Sequence, residues 1–251
     1  MTDLVNTGRD GRVLTITMNR TEKKNALNHD MYAAMADALT LAHEDAQIRC
    51  VIITGAGDSF TSGNDLGDFA AGLPEGKPPV VRFLESIVNC DKPVMAAVNG
   101  PAVGVGLTML LHSDLVYASE AATFRSPFPH VGVVPEAGSS LLLPMTVGNA
   151  WANDIFIAGR VLNAAEALSA GLISRIFAAV SFMDECRKIA GVVAAQAPNA
   201  MLQTKRLVRS NREAIFERMR KEGAIFNEQL KSPEFMAAAA AYMQRRLPEF
   251  D

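Results

Sequence analysis

Two short stretches carry residue types that could do chemistry together. In KPVMAAVNGPAVGVGLTM (92–109), Gly104 and Gly106 flank Val105 at the start of an apolar helix pattern. Glycine there strips side chains from a place where main-chain N–H groups are free, so the corner could hold an anion or a developing oxyanion. The same glycines could equally serve only to let helix and strand pack closely. In VGVVPEAGSS (131–140), Glu136 follows an apolar run containing Val131, Val133 and Val134. Apolar neighbours raise a carboxyl pKa and make it a better base. An acid just before a helix can also simply complement the helix N-terminus, and the local sequence leaves both roles open.

Other signatures fail. The third place of a dinucleotide fingerprint is Met109 after Gly104-x-Gly106 and Phe60 after Gly55-x-Gly57. No GxxxxGK[ST] phosphate loop and no GxSxG elbow occurs. His29, His43, His112 and His130 lack metal-ligand spacing and read as surface or satisfied core groups.

The elements that must position these residues alternate between strand and helix. Leu4–Thr7 and Val13–Met18 flank Asp10-Gly11, a type I′ hairpin signal. Asn28 caps a helix running to about Glu44. Cys50–Thr54 reads as a buried strand whose carboxyl end leads into the loop Asp58–Asp65, where α/β sheets bind ligands. Leu73–Pro79 is irregular, and Val80–Val88 is helical. A strand at Val94–Val98 leads to a helix over Gly104–Leu111. Strands follow at Leu115–Ala118 and Thr123–Arg125, then short helices at Ser139–Thr146, Asn149–Ile157 and Asn163–Ala170. Gly171 is a left-handed stop, and Leu172–Phe177 a last strand. From Ser181 the pattern is helical throughout. The expectation is an α/β core over 1–195 and a helical region over 196–251. The tail's Phe216, Met219, Ile225, Phe226, Phe235, Met236, Tyr242 and Met243 suggest a subunit interface or a tail folded onto its own core.

Composition bounds the rest. The 251 residues are 49% hydrophobic with net charge −3, enough for a large core and without a basic surface for nucleic acid or anionic membrane. Cys50, Cys90 and Cys186 form no CxxC, which fits a reducing compartment. No targeting segment, membrane span or peroxisomal tripeptide is read, so a cytoplasmic location is expected.

Together these stretches resemble the crotonase (enoyl-CoA hydratase/isomerase) superfamily over nearly the whole chain. The markers are NRTEKKNALN (19–28), FTSGNDL (60–66), KPVMAAVNGPAVGVGLTM (92–109), HSDLVYAS (112–119), TFRSPF (123–128), VPEAGSS (134–140) and NAAEALSAGLISRIF (163–177). The resemblance implies an α/β spiral core of ββα units with an all-helical C-terminal oligomerisation region. It implies an acyl-CoA thioester substrate, with no metal and no cofactor apart from the substrate's own CoA. It further implies a homotrimer or dimer of trimers, and a place in fatty acid metabolism such as β-oxidation. The backbone N–H groups of Asn64 and Val105 match the family's oxyanion hole. Lys24, Ala26, Ser62, Gly63, Asp65, Leu66 and Gly104 match CoA- or substrate-binding positions, although Lys24 alone reads equally as a solvated loop charge.

Departures from the family pattern point to the reaction. The two glutamates of the family's hydratases fall here on Thr108 and Phe128, which become pocket walls. Glu136 falls where the Δ3,Δ2-enoyl-CoA isomerase branch keeps its acid. The resemblance therefore implies isomerisation through one carboxylate, with hydration by another acid, or acyl-CoA binding without turnover, as rivals.

Overall fold

Extended, apolar runs form the centre. In a computed structural model describing residues 3–65, 67, 76–244 and 246–250, the first two strands are Val5–Asp10 (β1) and Val13–Met18 (β2). They pair antiparallel, with Asp10 opposite Val13. Gly11 has φ +53° but Arg12 does not share that region, so the turn has glycine at its first central position. That is the type II′ arrangement, not the expected type I′.

Cys50–Gly55 (β3), Val94–Val98 (β4), Leu115–Ser119 (β6) and Arg175–Phe177 (β9) continue this sheet. Its order is β1-β2-β3-β4-β6-β9, and every pairing after the hairpin is parallel. All five residues of β4 are buried, as a parallel strand covered on both faces requires. Alternation divides the two faces. Val51, Ile53, Val94 and Ala96 join the larger core with Met31, Met35, Leu39, Phe83 and Ile87. Cys50, Ile52, Met95 and Ala97 instead meet Phe182, Cys186 and Ala190. The first face is covered by His29–Glu44 (α1) and Pro79–Asn89 (α2), and the second by Phe182–Ala195 (α6). As expected, Asn28 caps α1, its side chain accepting the Met31 N–H at 2.9 Å.

A smaller sheet sits on the segment after β4. Ala102–Val103 (β5) pairs parallel with Thr123–Arg125 (β7), which pairs antiparallel with Leu162–Asn163 (β8). Between β5 and β6 the expected helix over Gly104–Leu111 is shorter. Val105–Thr108 (α3) makes one α turn and Met109–His112 continues as a 3-10 turn. The Gly104 corner therefore offers individual N–H groups rather than the end of a long helix dipole.

Ser139–Phe156 (α4) is two helical stretches that meet at Gly148, whose φ +76°, ψ 161° is not helical, which agrees with the two helices expected there from sequence. Ala164–Ser169 (α5) opens with a capping box between Asn163 and Glu166, and Gly171 stops it at φ +79°. The last strand is shorter than Leu172–Phe177 because Leu172 and Ile173 still bond back to Ala167.

The remaining helices are Pro198–Val208 (α7), Arg212–Gln229 (α8) and Pro233–Met243 (α9). They fold back on the chain. Lys205 donates to Asp114 at 2.7 Å, and Arg206 and Arg212 both reach Asp91. Ile215 enters the main core, and Phe216 and Met219 pack against it. Phe235 joins Phe128 and Val133, with Phe226 and Leu230 alongside. Met236 is 67% exposed and Ile225 41%. The side chains of Tyr242 and Met243 lie outside the described residues. Among the described residues no helix is long and apolar enough to cross a membrane.

Candidate active site

Main-chain stitching brings two loops together at the carboxyl ends of β3 and β4. Phe60 and Thr61 donate to the Pro101 carbonyl at 3.1 and 3.0 Å, and Val103 donates to Thr61 at 3.0 Å. Gly106 is needed for this approach: a Cβ there would stand 2.6 Å from the Thr61 methyl carbon. Gly104 takes φ +58°, ψ −118°, a conformation for glycine, and a Cβ on it would meet nothing within 4 Å. The corner faces open space. Among the described residues, the N–H groups of Asn64 and Val105 donate no hydrogen bond. Val105 is buried and Asn64 half-buried, and main-chain donors in such places are seldom left unpaired.

The loop expected to bind CoA is built from two parallel segments. Ser62 donates to the Lys24 carbonyl at 2.9 Å, Leu27 to Gly63 at 2.8 Å, and Asp65 to Leu27 at 2.9 Å. Lys24, Ala26, Ser62, Gly63 and Asp65 thus lie on two adjacent backbone segments, with Lys24 and Ser62 exposed and Gly63 buried; Leu66 lies outside the described residues. Lys24 and Asn25 adopt left-handed φ of +51° and +56°. Buried Asn25 holds the bend, its side chain donating to Ala56 and Ser59 carbonyls at 2.9 and 2.8 Å. Lys24 is exposed and forms no ion pair among the described residues. Asp65 is already occupied, since Arg20 donates to it at 2.6 Å. Partial burial works against its charge, but the Arg20 bond outweighs that and holds its carboxyl below the usual range.

Glu136 lines a cavity of about 480 Å³ shared with Asn64. Its walls are mainly apolar, from Val80, Val81 and Leu84 of α2 and Phe216, Met219 and Phe226 of α8. Burial pushes the Glu136 carboxyl from 4.5 up to about 7, helped by the negative charge of Glu222 and opposed by a hydrogen bond from Thr108. Thr108 Oγ1 donates to Glu136 Oε1 at 2.6 Å. Tyr32, whose hydroxyl donates to the Asn64 side chain, is pushed well above its ordinary range by burial and by the nearby Glu136. Glu136, Thr108, Tyr32 and Asn64 therefore form one connected group.

One of the two roles left open for Glu136 falls away, and one expectation needs revision. Glu136 does not complement the N-terminus of α4; Glu222 does, accepting the N–H groups of Gly138 and Ser140 at 2.6 and 2.9 Å. Glu136 is left free to face the cavity. Neither expected wall lines that cavity: Phe128 packs among Phe156, Val133 and Phe235, behind Phe226 and Leu230, which do line it, and fully buried Thr108 stands behind Glu136, to which it donates.

Glu222 is not among the residues singled out from sequence; His112, read there as a surface or satisfied core group, is the latter, buried and bonded to the Ala137 carbonyl. A signal existed for Glu222. It falls on the apolar stripe Ile215, Met219, Phe226 of α8, a charge at a core position. Nothing local marks the His112 contact, which spans 25 residues. Among the described residues, no group of three His, Cys, Asp or Glu side chains is placed to hold a metal ion.

Residues 8–251 match the enoyl-CoA hydratase/isomerase family model. The crystal structure of an enoyl-CoA hydratase/isomerase from Pseudoalteromonas atlantica T6c superimposes with a TM-score of 0.96 at 54% identity, covering 99% of this chain and 100% of that one. Enoyl-CoA delta isomerase 2 of Rattus norvegicus is 36% identical over 94% of this chain and 62% of its own length, so the chain spans less than two thirds of that relative. A carnitinyl-CoA dehydratase of Escherichia coli is 33% identical over 99% of this chain and 98% of its own. With a mixed α/β fold that matches and a family model covering almost every residue, the chain belongs to the enoyl-CoA hydratase/isomerase family.

Proposed function

We propose that this protein is an acyl-CoA enzyme that moves a double bond from the 3- to the 2-position of an enoyl-CoA. The observation that carries the reading is a single acid with a raised pKa, Glu136, in an apolar-walled cavity shared with Asn64. The thioester oxygen is held by the N–H groups of Asn64 and Val105. Glu136 takes a proton from C2, charge moves onto that oxygen as a dienolate, and the same carboxyl returns the proton at C4. A pKa near neutrality suits a group that must both accept and give back a proton. Thr108 keeps one carboxylate oxygen fixed while the other faces substrate. The CoA part runs along Lys24–Leu27 and Ser62–Asp65. Asp65 and Arg20 brace that loop rather than meet phosphate. The relative named an enoyl-CoA delta isomerase supports this reading.

In Glu136→Gln, turnover of 3-hexenoyl-CoA falls at least about 100-fold, while calorimetric affinity for a CoA ester stays close to that of the parent. Retained turnover overturns the role of Glu136. A second reading is hydration, favoured by the presence of Glu85 on the same cavity wall and by the dehydratase relative. Glu85 is engaged by Lys77, and Thr108 and Phe128 supply no second acid, so isomerisation is preferred. Water addition to crotonyl-CoA faster than isomerisation of 3-hexenoyl-CoA reverses that preference.

A further inference from the structure

The residue after Glu136 is in an unfavourable shape. Ala137 is buried with φ +61°, and Gly138 follows at φ +70°. A left-handed alanine is disfavoured by its Cβ and persists only where its surroundings impose it. Both ends of the peptide joining Ala137 to Gly138 are gripped. Its carbonyl faces His112 Nε2 at 2.7 Å, and its N–H donates to Glu222 Oε2 at 2.6 Å. The other Glu222 oxygen takes the Ser140 N–H at 2.9 Å. His112 is 4% exposed and Glu222 5%. They come from the turn after the glycine corner and from α8, far apart in sequence.

We infer that His112 and Glu222 are positioning residues, which clamp the Ala137–Gly138 peptide and so aim the Glu136 carboxyl at Thr108 and the substrate. The inference rests on the isomerase reading of Glu136. A carbonyl oxygen only accepts, so His112 Nε2 carries a proton and donates it to the Ala137 carbonyl. Burial favours the neutral ring, pushing its pKa down to about 4. Neither group touches substrate. Rotating the peptide by releasing either end carries Glu136 away from its aim, and misplacement by about 1 Å can cost 100-fold in rate.

The test uses His112→Leu and Glu222→Gln in the full chain, with 3-hexenoyl-CoA. For both, kcat falls about 10- to 100-fold with KM within about twofold. Groups facing or sharing the cavity with Glu136 are Thr108, Tyr32, Glu222, Glu85 and Arg220, with Arg218 beside Glu222. Glu222→Gln removes a negative neighbour, so the acid limb of the rate profile moves to lower pH. His112→Leu leaves the limb in place, because His112 is already neutral there. Adding Ala137→Gly to His112→Leu recovers part of the lost kcat, since glycine takes the left-handed shape without help. A core-filling role for His112 predicts no such recovery. Crystal structures of both variants show Glu136 displaced from Thr108. Folded variants with unchanged kcat and an intact Glu136–Thr108 contact overturn the inference. If His112→Leu does not fold, Glu222→Gln alone decides. Glu136→Gln is measured alongside: full activity there removes the base, whereas the Glu136–Thr108 contact in the clamp variants still reports on the clamp.

Discussion

At the scale of residues, the acid and its surroundings set a pH dependence. On the proposed mechanism Glu136 takes a proton and so acts ionised in the free enzyme; kcat/KM should then rise with pH through about 7, the value to which burial lifts its carboxyl. Stability runs the other way. The folded-state pKa lies above the unfolded value of 4.5, so the folded protein holds its proton more tightly between the two. The stabilising effect is complete below the unfolded value and is lost as pH rises through about 7. The shift corresponds to about 3 kcal/mol at most. Glu136→Gln, which cannot ionise, should therefore be more stable than the parent at pH 8 and nearly equal at pH 5. Urea melts at the two pH values measure this, and an equal effect at both contradicts the raised pKa. Glu136 was legible in sequence because its valine neighbours and family position agreed. The roles of His112 and Glu222 were not, because each acts on a peptide distant in the chain. Phe128 was misplaced because a matching motif position says nothing about which layer of side chains lies in front of it.

At the scale of elements, the two N–H donors depend on how closely β5 approaches the loop after β3. Thr61 is the spacer. Its Oγ1 donates to the Asn25 carbonyl at 2.7 Å and accepts the Gly63 N–H at 3.1 Å, which locks its rotamer. A methyl group added at Gly106 would stand 2.6 Å from the Thr61 methyl carbon, so Thr61 must turn and release Gly63, the residue before Asn64. Gly106→Ala should then lower kcat about 10- to 100-fold by spoiling one oxyanion donor. Glu136 keeps its contact with Thr108, so the pH at which activity rises is unchanged. A steady-state pH profile separates the two effects; wild-type kcat in this variant dissociates the corner from catalysis. The strand Val94–Val98 was readable to the residue because a fully buried parallel strand is one unbroken apolar run. The helix after Gly104 was overestimated because an apolar run does not distinguish an α turn from the 3-10 turn that follows it.

At the scale of the molecule, the tail is tied to the core by charge and by apolar packing. Asp91 is 7% exposed and receives Arg206 and Arg212. Burial disfavours its charge, but the two arginines prevail and hold its carboxyl down at about 2. The expectation that the tail's apolar side chains face a partner is thus divided. Ile215, Phe216, Met219, Phe226 and Phe235 are used within the chain, and one of them, Phe235, closes the cluster around Phe128. Other large apolar side chains remain uncovered: Leu207 is 78% exposed, Val208 75%, Met145 65% and Met236 67%. Single exposed apolar residues are ordinary, but Met145 and Val208 line the same surface groove. Covering such surface removes apolar area from water, worth about 25 cal/mol for each Å² before the entropic cost of association is met. The expected outcome is therefore a homo-oligomer, three or six times the monomer mass by sedimentation. Val208→Glu in the Met145 groove, which is lined by residues other than those around Glu136, should shift that mass downward if the groove is an interface. A species of monomer mass for the unsubstituted chain at micromolar concentration would remove the oligomer from the description and leave the clamp and the oxyanion corner to a single chain.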